Sequence, residues 1–240
     1  MYSEILSSNE RKVSGNPIEN VSLSIAQECD IDFIIEAIIE SEKSGSQVIS
    51  TCKVFGINEE EYKSILREIL KENIGDYEYE LSGYLIAKQN DEYVGASGSW
   101  IEGRDGISSG LIKTTMLTPY LGKDKIEKMN KNMRMISSLT LNRENKAFQL
   151  EHIYIRERFR KLGIFSILIK KNIKRNLLQF PLTKVQTILF KDNFTSYYAH
   201  LKLGFIEIET KVAEDKTVLD FFPYSSKTLM ELDHNKILNL

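Results

Sequence analysis

The segment 149–166, QLEHIYIRERFRKLGIFS, holds residues suited to binding a phosphate. An extended apolar stretch runs into a basic turn that contains Gly163, and a helical pattern follows directly. The first backbone N–H groups of a helix lack an intrahelical acceptor, and the helix dipole favours negative charge there. The segment therefore predicts a site for a phosphate-bearing ligand, although an ordinary strand-to-helix connection is the alternative. Neither GxxxxGK[ST] nor GxGxxG is present, which excludes a P-loop and a dinucleotide fingerprint.

A second segment, about thirty residues downstream, makes the first more specific. It runs from Asn193 to Phe205 and reads NFTSYYAHLKLGF. Together the two segments resemble the signatures of the GNAT superfamily of acyl-CoA-dependent N-acyltransferases. The first signature is Arg/Gln-x-x-Gly-x-Gly/Ala, here Arg160 to Phe165, and the second is Asn-x-x-Ala/Ser followed by Gly-Phe. Two residues depart from the family pattern: Phe165 replaces a Gly or Ala, and His200 replaces a frequent tyrosine.

The resemblance implies both the fold and the cofactor. We expect an α/β (α+β) fold, a mixed and mostly antiparallel sheet flanked by helices, with a splayed central strand pair that binds acyl-CoA. Backbone amides of the basic turn would hold the coenzyme A pyrophosphate, and the end of the preceding strand would pair with the pantetheine arm. The implied acetyl-CoA-binding residues are Ile153, Tyr154, Ile155, Arg160, Lys161, Leu162, Gly163, Ile164, Phe165, Ser166, Asn193 and Ser196.

The resemblance also implies the catalytic groups. Glu151 matches the glutamate that serves as general base in relatives similar to polyamine acetyltransferases, and a carboxylate in a partly desolvated cleft can take a proton from an amine. The alternative is a structural carboxylate paired with an arginine. His200 or Tyr198 would protonate the departing thiolate, with Tyr197 as a competitor. We expect His152 on the opposite strand face, without a catalytic role.

Hydrophobic periodicity places these residues within one domain. We interpret 1–20 as a flexible extension, 21–235 as a GNAT-like acetyltransferase domain and 110–146 as an insertion. Glycines, prolines and alternating patterns predict strands at 21–26, 81–88, 93–101, 148–155, 185–190, 205–210 and 227–232. Helices are expected at 31–43, 58–72, 123–137, 163–178 and 193–203. The 123–137 helix could be a lid, a homodimer contact or a helix packed on the sheet.

Charge is divided unevenly along the chain. Residues 1–110 carry 21 acidic and 9 basic side chains, a net charge of −12. Residues 111–240 carry 13 acidic and 23 basic side chains, a net charge of +10. The acidic half favours a small cationic amine as acceptor, with solvated surface charge as the alternative. The residues on which this expectation depends are Asp30, Asp32, Glu36, Glu40 and Glu42.

Composition excludes several other classes. No apolar run approaches the length of a membrane span, and we expect no signal peptide. Two cysteines without CxxC spacing favour a reducing compartment, which we take to be the cytoplasm, and the three histidines do not form a metal-ligand pattern. We therefore expect no metal, nucleic acid or membrane partner. The alternatives to a small-molecule acetyltransferase are a non-catalytic acyl-CoA sensor and a protein lysine or N-terminal acetyltransferase.

Overall fold

The computed structural model describes residues 20–238, so the extension expected at 1–20 lies, apart from Asn20, outside the described residues. Seven strands form one sheet: β1 (Val21–Ile25), β2 (Leu85–Gln89), β3 (Glu92–Ile101), β4 (Phe148–Ile155), β5 (Lys184–Phe190), β6 (Ile206–Val212) and β7 (Ser226–Asp233). The helices are α1 (Ile31–Lys43), α2 (Ser50–Phe55), α3 (Glu59–Glu72), α4 (Ser109–Lys131), α5 (Met133–Ser138), α6 (Ile164–Leu177), α7 (Phe194–Lys202) and α8 (His234–Leu238). Within 20–238, no helix is long and apolar enough to span a membrane.

The strand order of the sheet is β1-β2-β3-β4-β5-β7-β6. Every neighbouring pair is antiparallel except β4 and β5, which run parallel at the centre. The predicted hairpin is confirmed between β2 and β3, where Asn90 and Asp91 have φ of 50° and 64° as a tight primed turn requires. The expectation of a mixed, mostly antiparallel sheet is therefore confirmed.

Helices cover both faces of this sheet because successive strand residues point to opposite sides. Ile86 packs with α1 and α3, whereas its neighbours Leu85 and Ala87 pack with Ile164 and Leu168 of α6. Helix α1 belongs against the sheet because its isoleucines recur at helical spacing, and all of them are buried. We call the face covered by α1 and α3 the acceptor face and the face covered by α6 the donor face, after the substrates that the resemblance leads us to expect there.

The insertion differs most from its predicted form. Its helix begins at Ser109, well before the predicted 123, because the Ser108 side chain caps it by accepting the Leu111 N–H. Gly122 has φ of 72° and interrupts the helix there. Leu117 and Leu121 are buried in the same core as α2 and α3, so α4 packs mainly on these helices. Helix α2 was not predicted, and 81–83 form a 3-10 turn in place of the first strand residues.

Candidate active site

The central parallel pair opens into a gap soon after it forms. Strands β4 and β5 pair only at Phe148 with Val185 and at Gln149 with Gln186. Beyond Gln149, the strands separate, so residues 150–155 lack a ladder partner on that side. The splayed strand pair expected from the resemblance is therefore present, and it leaves a slot between the two faces of the sheet.

A β-bulge in β4 coincides with this gap. Gly98 of β3 is opposite Glu151 and Ala96 is opposite Tyr154, which leaves one extra residue on β4. His152 has φ of 48°, an uncommon backbone conformation for a residue with a side chain. Its ring stacks on Tyr79 and Tyr84, with centroids 5.8 and 6.3 Å away. The prediction that His152 points away from Glu151 is therefore wrong, because a bulge breaks strand alternation and turns both side chains to the acceptor face.

Glu151 lies at the mouth of the gap with one oxygen engaged. Its Oε1 accepts from Arg143 Nη2 at 3.0 Å and from the Ile188 backbone N–H at 3.2 Å. The second oxygen, Oε2, receives no hydrogen bond from the residues that the structure describes. The carboxylate is only 16% exposed. The arginine pair weighed as an alternative is thus present, yet one oxygen remains able to accept a proton.

The basic turn has the geometry of an anion cradle. Lys161 and Gly163 have φ of 63° and 83°, and Gly163 immediately precedes the first residue of α6. The Arg160 N–H donates to Glu157 O, whereas the N–H groups of 161–166 donate to no acceptor within the described chain. Gly163 is exposed, so an incoming phosphate can approach the turn. Consecutive unused amides at a helix start fit the pyrophosphate of coenzyme A.

Phe165 does not close this cradle. Its ring packs into the donor-face core that contains Ile169 and contacts His200 edge-on, with centroids 5.1 Å apart. Its helical neighbours Ile164 and Leu168 pack in a separate cluster, with β2 and β3. The amides of the first helical turn remain available although the side chain is large.

His200 is placed where it cannot readily act as a general acid. It is 1% exposed and packs between Phe165 and Phe205. Its Nδ1 donates to Ser196 O at 2.8 Å, and Nε2 has no hydrogen-bond partner among the described residues. Burial lowers the pKa of His200 to about 4, although the Ser196 carbonyl acts in the opposite direction. At pH 7 about one imidazole in a thousand would be charged, which argues against the expectation that His200 protonates the thiolate.

The other predicted site residues at α7 either hold the helix in place or are exposed to solvent. The Asn193 side chain accepts the Ser196 N–H at 3.3 Å, so Asn193 caps the helix and its oxygen is committed to that bond. Tyr197 donates to Glu207 at 3.2 Å, whereas Tyr198 is 55% exposed. Of the three candidate acids, Tyr198 alone has an exposed side chain.

The end of β4 faces an open depression. Tyr154 donates to Glu36 at 3.2 Å and Arg156 forms a two-pronged contact with the same carboxylate. Burial, reinforced by Glu36, raises the pKa of Tyr154 to about 12. With Glu157 and Arg158 these residues line a volume of about 520 Å³. Ile153 and Ile155 pack toward the donor face, so their backbone borders the gap and their side chains belong to the core.

The acceptor face also carries a polar cluster that the sequence did not predict. Lys113 of α4 pairs with Glu78. Burial alone would raise the pKa of Glu78, but the charges of Lys113, His152 and Arg143 lower it to about 2. Tyr84 donates to the Glu78 carbonyl at 2.7 Å and lies 2.8 Å from His152 Nδ1. These residues come from four separate stretches of chain, and no local spacing pattern identifies them.

The five carboxylates that suggested a cationic acceptor all have partners within the chain. Asp30 contacts Lys88 and Tyr93, and Asp32 pairs with Arg67. The other three are also engaged: Glu36 with Arg156, Glu40 with Lys43, and Glu42 with Thr51 and Tyr62. Four of these negative charges are therefore compensated by a lysine or an arginine, whereas the described partners of Glu42 are neutral donors, so the five give little support to a cationic acceptor.

Comparisons with known proteins agree with this architecture. No protein-family model matches the sequence, and no curated protein does either. Among solved structures, an N-acetyltransferase from Staphylococcus aureus Mu50 aligns at 12% identity and a TM-score of 0.57, over 88% of this chain and 100% of its own. Arylalkylamine N-acetyltransferase 2 from Aedes aegypti aligns at 16% identity and a TM-score of 0.56, over 89% of this chain and 99% of its own.

A third solved structure was determined with ligands. Spermidine N-acetyltransferase from Vibrio cholerae, in complex with CoA and spermine, aligns at 13% identity and a TM-score of 0.52, over 92% of this chain and 99% of its own. At such identities the likeness is one of fold. The chain therefore has the fold of the GNAT acetyltransferases, as segments 160–165 and 193–205 indicated.

Proposed function

We propose that the protein transfers an acetyl group from acetyl-CoA to the primary amine of a small molecule, by direct attack within a ternary complex. The observation that carries this proposal is the gap between β4 and β5, which has a cradle of unused amides at one end and Glu151 at the other. Such a gap joins a phosphate site on the donor face to a polar cluster on the acceptor face.

The donor is held mainly by backbone groups. The amides of 161–166 would bind the pyrophosphate, and residues 153–155 would pair with the pantetheine amides along the edge that β5 leaves uncovered. The bond between Asn193 and Ser196 fixes the start of α7, which the resemblance implies would lie beside this edge. Acetyl-CoA supplies an acetyl group activated as a thioester, and a β4 backbone N–H would hold the carbonyl oxygen during attack.

The chain moves two protons during the reaction. The amine nitrogen forms a bond to the acetyl carbon, the carbon–sulfur bond breaks, and the amine proton passes to Glu151 Oε2, directly or through water. Arg143 and the Ile188 N–H hold the other carboxylate oxygen, which fixes the base at the gap. The thiolate takes a proton from Tyr198 or from solvent, since His200 is buried and neutral.

Solved neighbours and the insertion both favour a small acceptor. Two of the fold neighbours are named for spermidine and for arylalkylamines, which are small amines. Helix α4 contributes Lys113 to the polar cluster beside Glu151, so it covers a face that a protein substrate would need open. These observations support a small-molecule amine over a lysine side chain or a protein N-terminus.

Calorimetric titration with acetyl-CoA, followed by a thiol-release assay over a panel of primary amines, tests the proposal. We expect saturable binding and release of CoA thiol that depends on the amine. Binding without release for every amine would favour the acyl-CoA sensor, and no binding at millimolar acetyl-CoA would reject both functions.

A further inference from the structure

Lys227, at the start of β7, is a half-buried cation that no carboxylate of residues 20–238 contacts. Its Nζ lies over two aromatic rings, 4.8 Å from the Phe190 centroid and 4.7 Å from that of Phe222. Among the side chains that the structure describes, no carboxylate oxygen approaches this Nζ within 4.0 Å. By contrast, Lys113 and Arg143 of the neighbouring polar cluster pair with Glu78 and Glu151.

Sheet register places Lys227 on the same face of the sheet as the proposed catalytic base, one strand beyond β5. Lys227 is opposite Phe190 on β5, and directly opposed residues share a face. Phe190 is two residues beyond Ile188, whose N–H binds Glu151, so both strands present these side chains to the acceptor face. Ile188 and Phe190 are roughly 7 Å apart along β5, and β7 lies roughly 5 Å beyond β5, so the offset is on the scale of a small metabolite.

The surroundings of Lys227 disfavour its positive charge. Burial lowers the pKa of Lys227 to about 8; Lys113 and Arg143 add to this, while Glu151 and Glu42 act against it. A desolvated ammonium is stabilised by an opposite charge, and the rings of Phe190 and Phe222 replace only part of its hydration. Glu151 and Glu42 act only from a distance, and among the described side chains none brings an opposite charge into contact with Nζ.

We propose that Lys227 binds an anionic group on the acceptor, so that the substrate is a small primary amine that also carries a carboxylate or a phosphate. This inference rests on the proposed acetyl transfer and specifies its substrate class. The amine would lie at Glu151 and the anion at Lys227, with Phe190 and Phe222 as the apolar wall beside it. It replaces the cationic acceptor that the acidic half of the sequence suggested.

Matched pairs of amines test the proposal by thiol release. One pair is phenylalanine and phenethylamine, which differ by a carboxylate; the other is phosphoethanolamine and ethanolamine, which differ by a phosphate. We expect at least one anionic member to exceed its partner roughly tenfold or more in kcat/KM, and the pair that does so identifies the anion. Lys227→Met should remove that preference while leaving the neutral partner within about twofold, and Lys227→Arg should restore part of it. Lys216→Met, at an exposed lysine of the preceding loop, serves as the matched control.

The outcomes separate this inference from the proposed function. Acetyl transfer without a preference for either anion, or an equal loss on both members in Lys227→Met, would overturn the role of Lys227 and leave acetyl transfer intact. If no amine of the panel is acetylated, calorimetry with N-acetylphenylalanine and N-acetylphenethylamine, and with the matching phosphate pair, in the presence of CoA decides instead. Tighter binding of an anionic member, lost in Lys227→Met, supports the inference, and equal binding within both pairs rejects it.

Discussion

The carboxylate of Glu151 accepts the Ile188 backbone N–H at 3.2 Å, across the gap that opens between β4 and β5. Just where the β4–β5 ladder ends, the Glu151 side chain replaces a strand carbonyl as the acceptor of the Ile188 N–H. The contact fixes one carboxylate oxygen and leaves the other unbonded within the described chain, beside the route that joins the two faces of the sheet.

Replacing Glu151 with Gln should remove the base and preserve the gap. The amide oxygen can still accept from Ile188 and Arg143, but it cannot take a proton from the amine. We expect kcat to fall roughly 100- to 1,000-fold, with acetyl-CoA affinity within about threefold of the wild type. Thiol release and calorimetry measure the two quantities.

Glu144→Gln is the matched control for this change, because Glu144 is a half-exposed carboxylate on the segment leading into β4 and pairs with Lys184. It should leave kcat unchanged. A Glu151→Gln enzyme with near wild-type kcat would show that the amine loses its proton elsewhere.

Gly163→Ala should separate cradle geometry from backbone strain. A side chain at φ of 83° costs about 1–2 kcal/mol, so unfolding in urea should need correspondingly less denaturant. Relaxation of the turn would also misalign the amides of 161–166, and we expect acetyl-CoA to bind about tenfold more weakly.

Gly106→Ala provides the control, since Gly106 has the same φ of 83° and no neighbouring atom within 4 Å of an added Cβ. It should lose comparable stability and bind acetyl-CoA normally. Equal acetyl-CoA affinity in the two variants would contradict the cradle.

Tyr198→Phe tests the remaining proton donor. We expect kcat to fall about tenfold, less than is typical for acid–base catalysis, because a thiol of ordinary pKa is already a good leaving group. Tyr197→Phe loses only its bond to Glu207 and should retain kcat within about twofold. Unchanged kcat in both variants would assign thiolate protonation to solvent.

His200 should make the fold sensitive to acid. Its pKa is about 4 when folded and about 6.5 when unfolded, so the unfolded chain binds more protons between these values. Stability is therefore lost as pH falls from about 6.5 to 4, by up to about 3 kcal/mol from this residue.

His200→Phe keeps a ring between Phe165 and Phe205 and should flatten the dependence of unfolding free energy on pH, measured in urea from pH 4 to 8. We also expect kcat within about threefold of the wild type. A fall in kcat as large as that of Glu151→Gln would show that His200 takes part in catalysis after all.

Local sequence determined most of the fold. Hydrophobic period and turn residues predicted β3, β4, α1 and α6 to within a residue or so, because these elements bury one clear face and end at identifiable turns. Helix α2 and the first half of α4 were missed. Helix α2 is only six residues long, and the α4 sequence contains Pro119 and Gly122, which usually end a helix.

The sequence by itself determined the proposed donor site, because the turn at 160–166 would bind phosphate through backbone amides whose geometry follows from Gly163 and the helix after it. Tertiary structure alone decided the acceptor side. The bulge turned His152 to the face of Glu151, and sheet register set Lys227 on that same face, where no carboxylate of the described residues contacts it. Side chains from distant segments meet there only through strand order, and strand order depends on long-range pairing that no local pattern records.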